Sequence, residues 1–79
     1  MTDSIFKAVV THFETDHTTM RFGDKLYEIY PSHGSSFCYI KSRPDGEHEH
    51  MQQLIDFDAA CIAIAQDIEK QILRHWRGE

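Results

Sequence analysis

The residues whose types and spacing could do chemistry cluster in the middle of the chain. Glu47-His48-Glu49-His50 alternates carboxylate and imidazole, and His33 lies in the polar stretch before it. If that segment is extended, His48 and His50 share a face, a spacing that suits two metal ligands. Structural zinc ordinarily takes four ligands with thiolates among them, and neither Cys38 nor Cys61 belongs to a Cys-x-x-Cys pair. The run therefore reads as a solvated polar segment, and neither metal nor cofactor is expected. Ser35-Ser36 and the histidines supply the parts of a hydrolytic triad, but no Gly-x-Ser-x-Gly elbow anchors them. Glu47 and Glu49 read as a solvated edge rather than an acid–base pair, and catalysis is not expected.

A second pattern is Phe37, Tyr39, Lys41 and Arg43, aromatics interleaved with bases on one strand face. Some sheets stack single-stranded RNA in this way. The net charge of −5 favours the plainer reading, with aromatics in the core and bases at the strand end. Charge is also unevenly distributed. Between Pro44 and Glu69 lie Asp45, Glu47, Glu49, Asp56, Asp58, Asp67 and Glu69, with no lysine or arginine. Such a segment either keeps a small domain soluble or is steered toward a basic surface. Direct binding to nucleic acid is not expected, because that affinity comes from neutralising phosphates.

The elements that must position these residues follow from periodicity. At 100° per residue, Phe57, Ala60, Cys61, Ile64, Ala65, Ile68, Ile72 and Trp76 form one apolar arc, with Gln66, Asp67, Lys70 and Arg74 on the far side. Asp56 is the expected N-cap, Asp58 suits the first turn, and Lys70, Arg74 and Arg77 suit the last turns before Gly78. These signals predict a helix over 56–77. Ala59 to Ala65 is apolar or small all round, so either the segment just before the helix or a partner must cover Ala59 and Ala63.

Upstream, IFKAVVTHF is rich in β-branched and aromatic residues and predicts a central strand over 5–13. Strands over 18–22 and 25–30 flank Gly23-Asp24, a Gly-first loop suited to a type II′ hairpin. Pro31 begins a loop, and a strand over 37–43 precedes Pro44-Asp45-Gly46, a type I turn signal. Glu47–Ile55 reads as a final strand, an irregular connection or an early helix start, with a break preferred near Asp56. The fold class is α+β: an antiparallel meander of three to four strands with one C-terminal helix across one face. The 79 residues allow a single domain. No apolar run could span a bilayer, and MTDSIFK lacks a signal-peptide layout, so a cytoplasmic protein with two free cysteines is expected.

The hairpin FETDHTTMRFGDKLYEIYP followed by the helix DFDAACIAIAQDIEKQIL resembles the very small acidic proteins of phages and mobile elements, among them anti-CRISPR inhibitors. Small antitoxins of the sheet-plus-helix type look similar. The resemblance implies inhibition by binding: occlusion of a basic nucleic-acid-binding surface on a nuclease or CRISPR effector subunit, in a host cytoplasm. It carries over no residue roles. The residues themselves supply the expected partner-binding set, Asp45, Glu47, Glu49, Asp56 and Asp58, with Tyr27 and Tyr39 as aromatic anchors on the sheet's open face. The alternative readings are a structural or regulatory homodimer of the antitoxin-like kind and, ranked last, a histidine-dependent metal-binding protein.

Overall fold

Thr2–Glu14 is a helix, α1, and not the central strand that its β-branched residues suggest. Ile5, Val9 and Phe13 recur every fourth residue, as do Phe6 and Val10, so the same apolar residues that satisfy a two-residue period also build one helical stripe. Packing decides between the two: Val9 and Phe13 are buried and Ile5, Phe6 and Val10 lean on the same core. Burial of that stripe overrides an intrinsic preference worth only tenths of a kcal/mol per residue.

The computed structural model describes residues 2–15 and 19–76. After α1 come β1 (Thr19–Phe22), β2 (Lys25–Pro31), β3 (Phe37–Ser42), β4 (His48–Leu54) and α2 (Phe57–Trp76). The strands form one antiparallel sheet in the order β1-β2-β3-β4. The expected turn residues Asp16 and His17, the expected strand start at Thr18, and Arg77 and Gly78 at the expected helix end lie outside the described residues. No helix among the described residues is long and apolar enough to cross a membrane.

Of the three hairpin connections, the β1–β2 and β3–β4 turns follow the expected chemistry. Phe22 pairs with Lys25 across Gly23-Asp24, and Gly23 has φ 61°, the left-handed value that a Gly-first loop requires. At the other turn the Gly46 N–H donates to the Arg43 carbonyl at 2.9 Å, which sets Pro44 and Asp45 as the central residues. The Asp45 carboxylate then accepts from the Glu47 N–H at 2.9 Å. Glu47–Ile55 resolves as a strand followed by a short break. Asp56 caps α2 as expected, its carboxylate accepting the Ala59 N–H at 2.8 Å.

One face of the sheet is covered. Tyr27, Ile29 and Tyr39 pack with Val9 and Phe13 of α1 and with Ala60, Cys61, Ile64, Ala65 and Ile68 of α2. These α2 positions span a wide arc, because the helix faces the sheet on one side and α1 on the other. Strand β4, the segment just before α2, contacts that helix, Ala63 lies with β4 residues along a groove between the two, and both Ala59 and Ala63 are half-buried.

Candidate functional site

Pairing register fixes which side chains share a face. Lys25, Tyr27, Ile29, Phe37, Tyr39 and Lys41 point toward the helices. Lys41 is the polar intruder in this set. Its side chain is only 9 % exposed, and its ammonium lies 2.8 Å from Asp67 Oδ2 on α2 and 2.9 Å from Glu49 Oε2 on β4. Glu49 also holds Lys25 at 2.6 Å. Tyr27 donates to Asp67 at 2.6 Å, and the Gln71 amide donates to both the Tyr27 oxygen and the Asp67 carboxylate. The result is a closed network, Lys25–Glu49–Lys41–Asp67–Tyr27–Gln71, laid between β2, β3, β4 and α2.

The electrostatics follow the geometry. Lys25 first, then Lys41, holds the Glu49 carboxyl down at about 2. Burial alone raises the Asp67 carboxyl, but the hydrogen bonds from Lys41 and Tyr27 outweigh it and the net direction is down. Burial lowers and the two carboxylates raise Lys41, which ends above its ordinary value and stays charged. Burial, then Asp67, pushes the Tyr27 phenol well up, so it remains a donor. Burial with the Asp67 and Glu49 charges does the same to Tyr39.

A bulge makes the network reachable. Lys41 pairs with His50 but Ser42 pairs with His48, so Glu49 is an extra residue without a cross-strand partner. That insertion turns Glu49 toward the helix layer, where both lysines wait. It also splits the histidine pair. His50 stays on the helix side, edge-on to the Tyr39 ring at 5.5 Å, while His48 stands opposite Ser42 on the other face. The shared face expected from simple alternation does not exist. Among the described residues no group of three or more His, Cys, Asp or Glu side chains is placed to hold a metal ion.

The expected partner-binding residues fall into three groups. Tyr27 and Tyr39 are core residues, 0 % and 3 % exposed, and the face that bears them is under the helices. They cannot serve as surface anchors, and Phe37, Tyr39 and Lys41 cannot stack RNA, because apolar burial claims that face. Glu49 is spent on two lysines and Asp56 on its cap. Asp45, Glu47 and Asp58 are exposed. The seven residues of β4 separate Asp45 and Glu47 from Asp58 by roughly 20 Å, so the acidic run is no continuous patch.

The meander regroups charge in another way. Its β1–β2 and β3–β4 turns open at the same end of the sheet, since Leu26 and Ser42 are paired neighbours. Exposed Asp24 therefore joins Asp45 and Glu47 at that end, about two strand spacings or ~10 Å away. Arg43 meets Asp45 only at 3.8 Å and both are well exposed, a pair worth little.

Two more features were missed from sequence. The helical period places Asp67 on the far side and gives Gln71 no role, yet both continue the Ala60–Ile64 stripe and face the sheet, Asp67 at Lys41 and Gln71 at Tyr27. Polar residues on an apolar stripe opposite a lone strand lysine were the available signal. The other is an open groove of about 470 Å³ between α2 and the β3–β4 edge, with Lys41, Glu49 and Asp67 in its floor.

The sheet's second face carries Leu26, Glu28, Tyr30, Cys38, Ile40 and Met51, and neither helix packs on it. Cys38 there and Cys61 in the core are both free. No family model matches the chain, and comparison with curated proteins and with solved structures gives no match either.

Proposed function

We propose that this chain is a small non-enzymatic binding protein that inhibits by occlusion, presenting the acidic turn end of its sheet to a basic nucleic-acid-binding surface of a partner such as a CRISPR effector complex. The observation that carries the reading is the convergence of Asp24, Asp45 and Glu47 at one end of the meander. Tight turns fix the backbone that bears these exposed residues, and Asp45, which accepts the Glu47 N–H and lies 3.8 Å from Arg43, keeps its carboxylate at the surface. Preorganised negative charge is steered to Lys/Arg-lined clefts and competes there with phosphate. The buried titratable groups, in contrast, satisfy one another, which supports a structural role for the network rather than chemistry on a substrate. Two free cysteines agree with action in a reducing cytoplasm.

The test is inhibition of DNA cleavage across a panel of purified effector complexes, with salt as the variable. Inhibition that weakens steadily between low and physiological ionic strength supports the reading. A chain that inhibits none of the panel, or does so without salt dependence, refutes it.

A second reading has its own observation. Leu26, Tyr30, Cys38, Ile40 and Met51 share the uncovered sheet face, and Met51 is 56 % exposed. A homodimer would bury this strip in an isologous contact. Light scattering at micromolar concentration decides it: a dimeric mass supports this reading and a strictly monomeric mass removes it.

A further inference from the structure

The groove between α2 and the β3–β4 edge is built differently from its floor. In the floor every charge is matched: Lys41 sits between Glu49 and Asp67, Glu49 also holds Lys25, and Tyr27 donates to Asp67. On the walls the balance is one-sided. Lys70 and Arg74 line the groove from α2, and neither forms an ion pair among the described residues. They are four apart on one helix face, where like charges lie one turn from each other and repel. An anion held between them removes that repulsion. From β4, the His50 ring nitrogen lies 3.3 Å from Gln52 Oε1, so it donates to an oxygen that cannot donate back. Gln52 lines the groove beside His50, with its amide N–H groups not used in that contact.

We propose that this groove binds a small phosphate-bearing molecule, with Lys70 and Arg74 taking the phosphate and Gln52 and His50 orienting it from the opposite wall. Donors outnumber acceptors on these walls, so the ligand must be rich in acceptor oxygens. The guanidinium fork of Arg74 matches a phosphate edge, and Lys70 adds a point charge. The volume, about 470 Å³, lies within the range of small-molecule sites and admits an organic body beside the phosphate. The floor carboxylates do not oppose this, because lysines neutralise both of them in place. This site is distinct from the acidic turn end and does not rest on the inhibitory reading.

The experiment is a titration of the ¹⁵N-labelled full chain followed by NMR, with three probes: inorganic phosphate, adenosine monophosphate and adenosine. Saturable shifts at His50, Gln52, Lys70 and Arg74 with the two phosphate-bearing probes, and none with adenosine, are expected. The nucleotide binding more tightly than free phosphate identifies an organic phosphate as the source; equal affinity identifies phosphate alone. The double variant Lys70→Ala/Arg74→Ala, at solvent-facing positions, should keep the parent's spectrum elsewhere and lose at least tenfold in affinity. Shifts that do not saturate, that spread equally to Lys7 and Arg21, or that persist in the double variant overturn the proposal. The two cations would then serve only the helix dipole and solubility.

Discussion

Replacing Lys41 by methionine isolates the buried network. Methionine keeps most of the length of the side chain and its apolar contacts but removes the ammonium that lies 2.8 Å from Asp67 and 2.9 Å from Glu49. Glu49 retains Lys25, so its loss is small. Asp67 is the residue left exposed to the full effect. Removing one partner of a buried pair typically costs about 3–5 kcal/mol. Asp67 keeps Tyr27 and Gln71 as donors and its side chain is 25 % exposed, which moves the expected loss to or below the bottom of that range. We expect Lys41→Met to cost about 2–3 kcal/mol at pH 7. The sign of the pH dependence follows from the depressed Asp67 carboxyl: its contribution is present above the unfolded carboxylate value and is lost as pH falls through the folded one. In the variant burial is no longer outweighed by Lys41, so protonation in acid relieves it. The difference between parent and variant should therefore shrink from pH 7 to pH 3. Urea unfolding followed by circular dichroism at both pH values measures this. Adding Asp67→Asn to Lys41→Met should bring stability back toward the parent. A loss under 1 kcal/mol, or one that does not change with pH, would refute the role assigned to this network.

Other outcomes follow from the packing. Ile68→Ala, deep in the α2 contact, should cost on the order of 2–4 kcal/mol, read as a fall in the urea midpoint. Ala8→Pro changes an exposed side chain within α1 and so tests the backbone alone; it should cost about 3 kcal/mol and reduce helical ellipticity, whereas a turn or strand there would leave the helical signal unchanged. Burial, with Asp58 and Glu14 nearby, pushes the Cys61 thiol up to about 12, so in native protein Ellman's reagent should titrate Cys38 first and Cys61 only on unfolding.

The helix α2, its Asp56 cap, the β1–β2 and β3–β4 turns and three of the four strands were legible in the sequence, because each rests on a local signal: a period, a capping residue, or a glycine at a fixed turn position. The first helix was misread for a physical reason. Residues spaced by four satisfy both periods, and the burial of Val9 and Phe13 against α2 is a long-range fact. The open face was legible as a consequence of topology but its residues were not. Tyr27 and Tyr39 belong to the covered face, and Leu26, Ile40 and Met51 to the uncovered one, because the second helix joins the first on one side. At the candidate site, Asp45 and Glu47 were read from the charge run. Asp24 joins them only through the pairing of β2 with β3, which brings two turns to one end. The bulge at Glu49 left no mark in the sequence, and it alone decides that Glu49 meets two lysines and that the histidines part company.

The central claim is that the turn end of the sheet is the surface that engages a basic partner. It is tested most directly by comparing charge reversal at the two ends in the same inhibition assay. Asp24→Lys/Asp45→Lys/Glu47→Lys alters exposed turn residues, and Asp58→Lys alters an exposed carboxylate at the far end of β4. Both variants should fold, as judged by circular dichroism. The account predicts that the triple variant loses inhibition, chiefly through a slower and less salt-dependent association, while Asp58→Lys inhibits nearly as the parent does. Equal inhibition by the triple variant and the parent, or loss only on reversal of Asp58, would contradict it.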